Sequence, residues 1–283
     1  MKLSLRRSLL TLAVLSAALT SGCGFVNNLR AKNALNEGAR AYRDGRFPDA
    51  EDKFRTAYEL DPSQKNAPLF IARAVQQQFK PGVQTPENLA LGERAVAAYQ
   101  DILNREPAND DAYKAIVFLY TQMKRDEKVN ELLTQRAGSG PNPTAKAEAL
   151  TILASKQWQC SYDITEQKEN KTTENKPDKI LIHYRKPSNQ ADYDKAQQCT
   201  TEGLKLAEQA TALDPNNPNA WSYKTNLLRE KSKLAEMAGD AAAKADLDKQ
   251  YDAALETQKR LGAEDARRKE AEEASKSPTP PAS

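Results

Sequence analysis

The 283-residue sequence holds one histidine, His183, and no cysteine or second histidine stands where it would complete a metal site with it. A Ser/His/Asp centre would depend on that same imidazole, and no Gly-x-Ser-x-Gly turn is present to hold out a nucleophile. Glycine is scarce at 11 residues, and the cluster "AGSGPNP" lacks the Lys-Ser/Thr pair of a phosphate-cradling loop, so it reads as a linker. Aromatics make up 6% of the chain and Val and Ile are sparse beside Lys, Glu, Ala, Gln and Leu, which argues against an all-β fold. Excess charge of one sign is missing as well. The net charge is +3, and Lys2, Arg6 and Arg7 in the first 22 residues, which hold no acid, account for it: +3 − 3 = 0 for the remainder. A neutral chain has no global field for nucleic acid. Carboxylate pairs such as Asp110/Asp111 and Glu272/Glu273 fall near a helix start or in a solvated tail and need no catalytic explanation. An enzyme is therefore not expected, nor a cofactor, a metal or a small-molecule substrate.

Long apolar runs are absent apart from one. "MKLSLRR" is a basic head, and "SLLTLAVLSAALT" behind it is too short for a comfortable membrane span, which is the layout of a secretory signal over residues 1–22. The run closes in "LTSGCG" and resembles the lipobox of bacterial lipoproteins, with Leu19 four residues before the cysteine rather than three. The resemblance implies cleavage before Cys23, lipidation of that cysteine, and an anchor linker over 23–30. Gly24 is not the aspartate that retains such lipoproteins at the inner membrane, so the resemblance implies an outer-membrane anchor facing the periplasm. The other reading is a plain cleaved signal that leaves Cys23 free or trimmed away.

Three cysteines are an odd number, and an unpaired thiol is a liability in an oxidising compartment. With Cys23 lipidated, Cys160 and Cys199 remain, either joined as a disulfide or buried as two separate thiols.

Three segments align without gaps: "AEDKFRTAYELDP", "AVAAYQDILNREP" and "GLKLAEQATALDP". Each begins with a small residue (Ala50, Ala95, Gly203), has a packing position four later (Phe54, Tyr99, Ala207), and ends eight further on in proline. The pattern resembles the second helix of a tetratricopeptide repeat. In the first unit the match extends to the first helix, where Gly38 stands twelve residues before Ala50. Proline spacing agrees: Pro107 to Pro141 is 34, Pro62 to Pro107 is 45 with "KPGVQTPENLA" as the excess, and Pro141 to Pro215 is 74 around a polar insertion. Apolar periodicity places helix pairs at 31–44 and 47–60, 63–79 and 86–105, 108–123 and 126–137, 144–164 and 191–213, 217–238 and 240–261. The resemblance implies an all-α, right-handed solenoid of about five hairpins over 31–261. An insertion at 166–189 and a charged, then Pro/Ser-rich tail over 262–283, expected to be disordered, complete the chain.

Within the insertion "EQKENKTTENKPD" is expected to be solvated, whereas "KILIHYRK" alternates Ile180, Ile182 and Tyr184 on one face as a strand. That strand either pairs with a partner or folds back on its own helices. Trp221, Tyr223, Leu227 and Leu228 have the spacing of residues packed between helices.

By resemblance to tetratricopeptide proteins, the first helix of each pair lines a groove for a peptide or helix of a protein partner. The residues facing it would include Tyr42, Arg43, Ile71, Val75, Ile116 and Tyr120, each of which packs between helices in the alternative. Leu35 and Ala39 occupy the places where some family members carry a Lys and Asn grip on a carboxylate. The expectation is a lipid-anchored scaffold in envelope or outer-membrane complex assembly. The alternatives are a cell-wall or polysaccharide-export accessory protein that binds glycan or activates a synthase, and a hydrolase built on His183.

Overall fold

A computed structural model describes residues 24–178 and 180–276. Ten α-helices are found among them. α1 covers 24–43. Then follow α2 (Phe47–Leu60), α3 (Ala67–Gln76), α4 (Pro86–Arg105), α5 (Asp110–Gln122), α6 (Asp126–Ser139), α7 (Pro143–Thr165), α8 (Gln190–Leu213), α9 (Pro218–Ala238) and α10 (Ala241–Lys276). A two-stranded antiparallel sheet, β1 (Lys171–Asn175) and β2 (Ile180–Tyr184), interrupts the series between α7 and α8. The chain divides into two compact units at Val129/Asn130, within α6. Cys23 lies outside the described residues.

The helices start where the sequence supplies caps. Asn109, Asn142, Asn189 and Asn217 each accept a hydrogen bond from a backbone N–H in the first turn of α5, α7, α8 and α9, and Thr85 does so for α4. Pro86, Pro143 and Pro218 then open three of these helices, where a missing N–H costs nothing. α3 starts later than the periodicity suggests. Asp61 accepts from Ser63 N at 3.1 Å, Ser63 Oγ at 2.6 Å and Gln64 Nε2 at 2.7 Å, which holds these residues in a turn.

In the first unit α2 packs on α3, α3 on α4 and α4 on α5, so the hairpins stack in sequence order as a solenoid's do. The aligned small positions are the points of closest approach. Ala50 and Ala95 are wholly buried, and a Cβ placed on Gly38 would stand 2.6 Å from the Phe54 ring across the first hairpin. The loop between α3 and α4 is closed by buried Asn88, whose side chain accepts from Lys80 N at 2.8 Å and donates to the carbonyls of Lys80 (2.9 Å) and Val83 (2.8 Å).

In the second unit α7 packs on α8 and α9, and α9 on α10. A Cβ on Gly203 would meet Leu227 at 2.7 Å and Gln157 at 2.8 Å. Leu227 and Leu228 are buried with Leu204 and Leu247, and Trp221 and Tyr223 pack against the same cluster, which is the interhelix packing their spacing implies. Cys160 of α7 and Cys199 of α8 form a disulfide with Cα atoms 6.1 Å apart. Closing a loop of this size stabilises by about 4 kcal/mol in the chain-entropy account.

Three expectations change. The stretch 24–30, set aside as linker, already belongs to α1. Lys171–Asn175, expected to be solvated, forms β1 and pairs with β2 in the register Thr173 to Ile182. Its polar residues are tolerated because they stay largely exposed while the backbone groups find partners. α10 does not fray at 262 but runs to Lys276. Its buried residues Leu247, Ala254 and Leu261 recur every seven positions and then stop. Beyond them the helix rests on its Ala, Glu, Lys and Arg content and on ion pairs such as Lys269 with Asp265 at 2.8 Å.

Candidate protein-binding groove

Along α1, Asn36, Ala39, Arg40 and Arg43 share one exposed strip, because residues three and four apart fall on one helix face. With Tyr42 they line a groove of about 720 Å³ whose other wall is Phe70 and Arg73 of α3 and whose floor is Phe54 of α2. The Phe54 and Phe70 rings lie 5.3 Å apart, and Tyr42 meets Phe47 edge-on at 5.3 Å, so the aromatic surface is held by ring packing. Tyr42 and Arg73 also border an adjoining recess of about 400 Å³ with Gln76, Tyr99 and Lys114. The two together run across α1, α3 and α5, the first helices of three successive hairpins.

The electrostatics differ along this path. Arg73 pairs with Asp111 at 3.2 Å and Lys114 with Asp110 at 3.3 Å. Arg40 and Arg43 have no ion-pair partner among the described residues. Glu37, which feels the charge of Arg40, is hydrogen-bonded to Lys53 at 2.6 Å, and that bond holds its carboxyl below the usual range. Tyr99 donates its hydroxyl to Gln76 Oε1 at 2.5 Å, and burial pushes its pKa up to about 12, so it remains a neutral donor.

Of the residues expected to face a partner, Tyr42 and Arg43 line the groove. Ile71, Val75 and Ile116 do not: they are 8%, 1% and 0% exposed and form part of the core, and the little of Ile71 that shows lines a separate recess with Tyr58 and Arg94. Tyr120 is half-buried near the end of α5 and lines neither recess. The physical reason is direct. Apolar residues at helical spacing are the ones the fold buries, and the groove falls to their neighbours Phe70, Arg73 and Gln76. Sequence reading missed Arg40 and Arg73, although Arg40 stands one turn before Arg43 and would be found by following that strip.

The strand insertion folds back on its own helices. Tyr184 donates its hydroxyl to Glu166 Oε1 at 3.0 Å and its backbone N–H to Glu236 Oε1 at 3.2 Å, and its ring packs against Ile164, Tyr193 and Leu234. Beneath it Lys233, 6% exposed, bonds Glu166 at 2.6 Å and Glu230 at 2.5 Å, and Glu230 also accepts from Thr165 at 2.6 Å. Burial works against the charge on Glu166, but hydrogen bonds from Lys171 and Lys233 prevail and hold its pKa at about 2. His183 sits at the surface with Glu174 Oε2 3.2 Å from Nε2 and Glu236 Oε1 3.6 Å from Nδ1. No group of three or more His, Cys, Asp or Glu side chains able to hold a metal is found among the described residues. Nor is any described helix long and apolar enough to cross a membrane.

No family model matches the chain, and no curated protein matches it. Among solved structures it is similar to a TPR repeats protein from Bacteroides fragilis, at 16% identity and a TM-score of 0.47, over 76% of this chain and 89% of that one. It is also similar to PilF of Pseudomonas aeruginosa, at 14% identity and a TM-score of 0.36, over 84% and 99% of the two chains. A thermophilic TPR protein of Thermus thermophilus is similar at 20% identity and a TM-score of 0.30, over 80% and 98%.

Proposed function

We propose that this protein is a scaffold that holds a partner protein through the groove of its first unit. The carrying observation is the continuous path along α1, α3 and α5, which combines an aromatic floor with side chains able to hydrogen-bond an extended segment. The lipobox resemblance at Cys23 supports a lipid anchor, and Gly24 after it supports the periplasmic side of the outer membrane. A scaffold so placed acts in assembly of envelope complexes rather than in catalysis. The strand insertion, tied to α9, serves that role as a fixed part of the second unit.

The test is a photo-crosslinking amino acid at Tyr42, introduced in cells of the native organism, with the same group at exposed Asp252 of α10 as comparison. The expected result is one discrete set of envelope-protein adducts from position 42 and none of that set from position 252. Identical adducts from both positions, or none from position 42, would remove the groove from the proposal.

A further inference from the structure

The groove has a charge preference that its shape alone does not require. Every charged side chain on the lining of its larger recess is an arginine: Arg40, Arg43 and Arg73. Arg73 is engaged by Asp111, whereas Arg40 and Arg43 stand exposed on α1 without an ion pair among the described residues, and Glu37, which feels the charge of Arg40, is bonded to Lys53 instead. Two guanidiniums one helical turn apart, without an ion pair of their own, therefore stand beside an apolar floor. Arg46, with Asp44 and Asp49, and Arg55, with Glu51, are by contrast already engaged.

We infer that the recess takes an acidic segment of the partner protein, with carboxylates on Arg40 and Arg43 and a large apolar side chain of the same segment over Phe54, Phe70 and Tyr42. This rests on the groove being the binding site. The guanidinium fork fits a carboxylate with two parallel N–H···O bonds, which a compact ammonium group cannot copy. The rings, with Phe70 and Tyr42 half-exposed, supply contact for one apolar side chain, so a ligand with carboxylates and no apolar group uses only half of the recess. Anionic groups also steer the encounter, so binding weakens as salt shortens the screening length from about 30 Å at 0.01 M to about 8 Å at 0.15 M.

The probes are three fluorescein-labelled nine-residue peptides: one alternating Glu with Phe, one with Gln replacing every Glu, and one with Lys replacing every Glu. Each is titrated by fluorescence anisotropy against the full chain in detergent. The expected result is saturable binding of the Glu peptide, at least tenfold weaker binding of the Gln peptide and none of the Lys peptide. The double variant Arg40→Gln/Arg43→Gln, altered only at exposed positions, should bind the Glu peptide at least tenfold more weakly and with a shallower salt dependence, while keeping the parent melting temperature. Arg40→Lys/Arg43→Lys should restore less than half of the loss in binding free energy if the fork geometry matters. Equal binding of the Glu and Gln peptides, no change in the Gln double variant, or no binding of the Glu peptide would each overturn the acidic preference. The crosslinking at position 42 reports on the groove separately, so adducts there with a charge-blind peptide response would leave the groove and discard the chemistry.

Discussion

At the scale of single residues, Gly38 and Glu166 show how much depends on one side chain. A side chain at position 38 must displace the Phe54 ring, since even its Cβ would stand 2.6 Å away, and Phe54 is itself buried. Overpacking of this kind costs roughly 1–3 kcal/mol, more when the intruder is large. Gly38→Leu is therefore expected to lower the melting temperature of the first unit by several degrees, and an unchanged thermal scan would mean that α1 and α2 yield without cost. Glu166 acts through charge instead. Its folded pKa of about 2 lies below the ordinary 4.5, so its contribution to stability is complete above about pH 4.5 and is lost as pH falls toward 2. The stabilisation is on the order of 2 kcal/mol after allowing for the solvent access this group retains. Glu166→Gln should be less stable than the parent at pH 7, and the gap should narrow as pH is lowered to 3. Parallel melting curves across that range would show that the lysines do not hold this carboxylate.

At the scale of elements, the disulfide and the strand hairpin form one device. Cys160 and Cys199 join α7 to α8 beside Ser161, which accepts from Thr200 Oγ1 at 3.0 Å. Just past the end of α7, its capping residue Glu166 meets Tyr184 of β2. Removing the bridge as Cys160→Ser/Cys199→Ser should destabilise the second unit by roughly 2–5 kcal/mol, the usual cost for a native disulfide. Because the pairing of β2 with α9 depends on α7 and α8 staying in place, hydrogen exchange at the Tyr184 amide should accelerate in the same variant. Unaltered protection there would make the staple and the hairpin independent. The hairpin also shows where sequence reading reaches its limit. Ile180, Ile182 and Tyr184 announce a strand through their alternation, yet only Tyr184 is sheltered, while Ile180 and Ile182 are 67% and 48% exposed. Its partner "KTTEN" carries no apolar alternation at all, because its pairing is made by backbone groups that composition does not reveal.

At the scale of the whole chain, the helical repeat was legible because its signals are local. Proline after each second helix and the small residues at the aligned positions recur at fixed spacing, and Gly38 makes its close contact within one hairpin, whereas Gly203 also meets Leu227 of the following helix. The groove was legible only in part, since a residue's side of the helix depends on which neighbours arrive. Tyr42 and Arg43 lie on the open side, whereas Ile71, Val75 and Ile116 are taken by the core. The proposed anchor is a matter of chemistry just before α1, where Cys23 lies outside the described residues. A scaffold held by lipid must lose its membrane association when the acyl acceptor is removed, because no described helix can substitute as a span. Cys23→Ala is expected to leave the protein in the membrane fraction only as uncleaved precursor, since cleavage at a lipobox needs the modified cysteine. Replacing residues 1–23 by a cleavable signal without a cysteine should then release a fully soluble, exported chain that still forms the Cys160–Cys199 bridge. If that chain continues to sediment with membranes and requires detergent for release, the attachment comes from a protein partner rather than from lipid, and the groove becomes the first place to look for it.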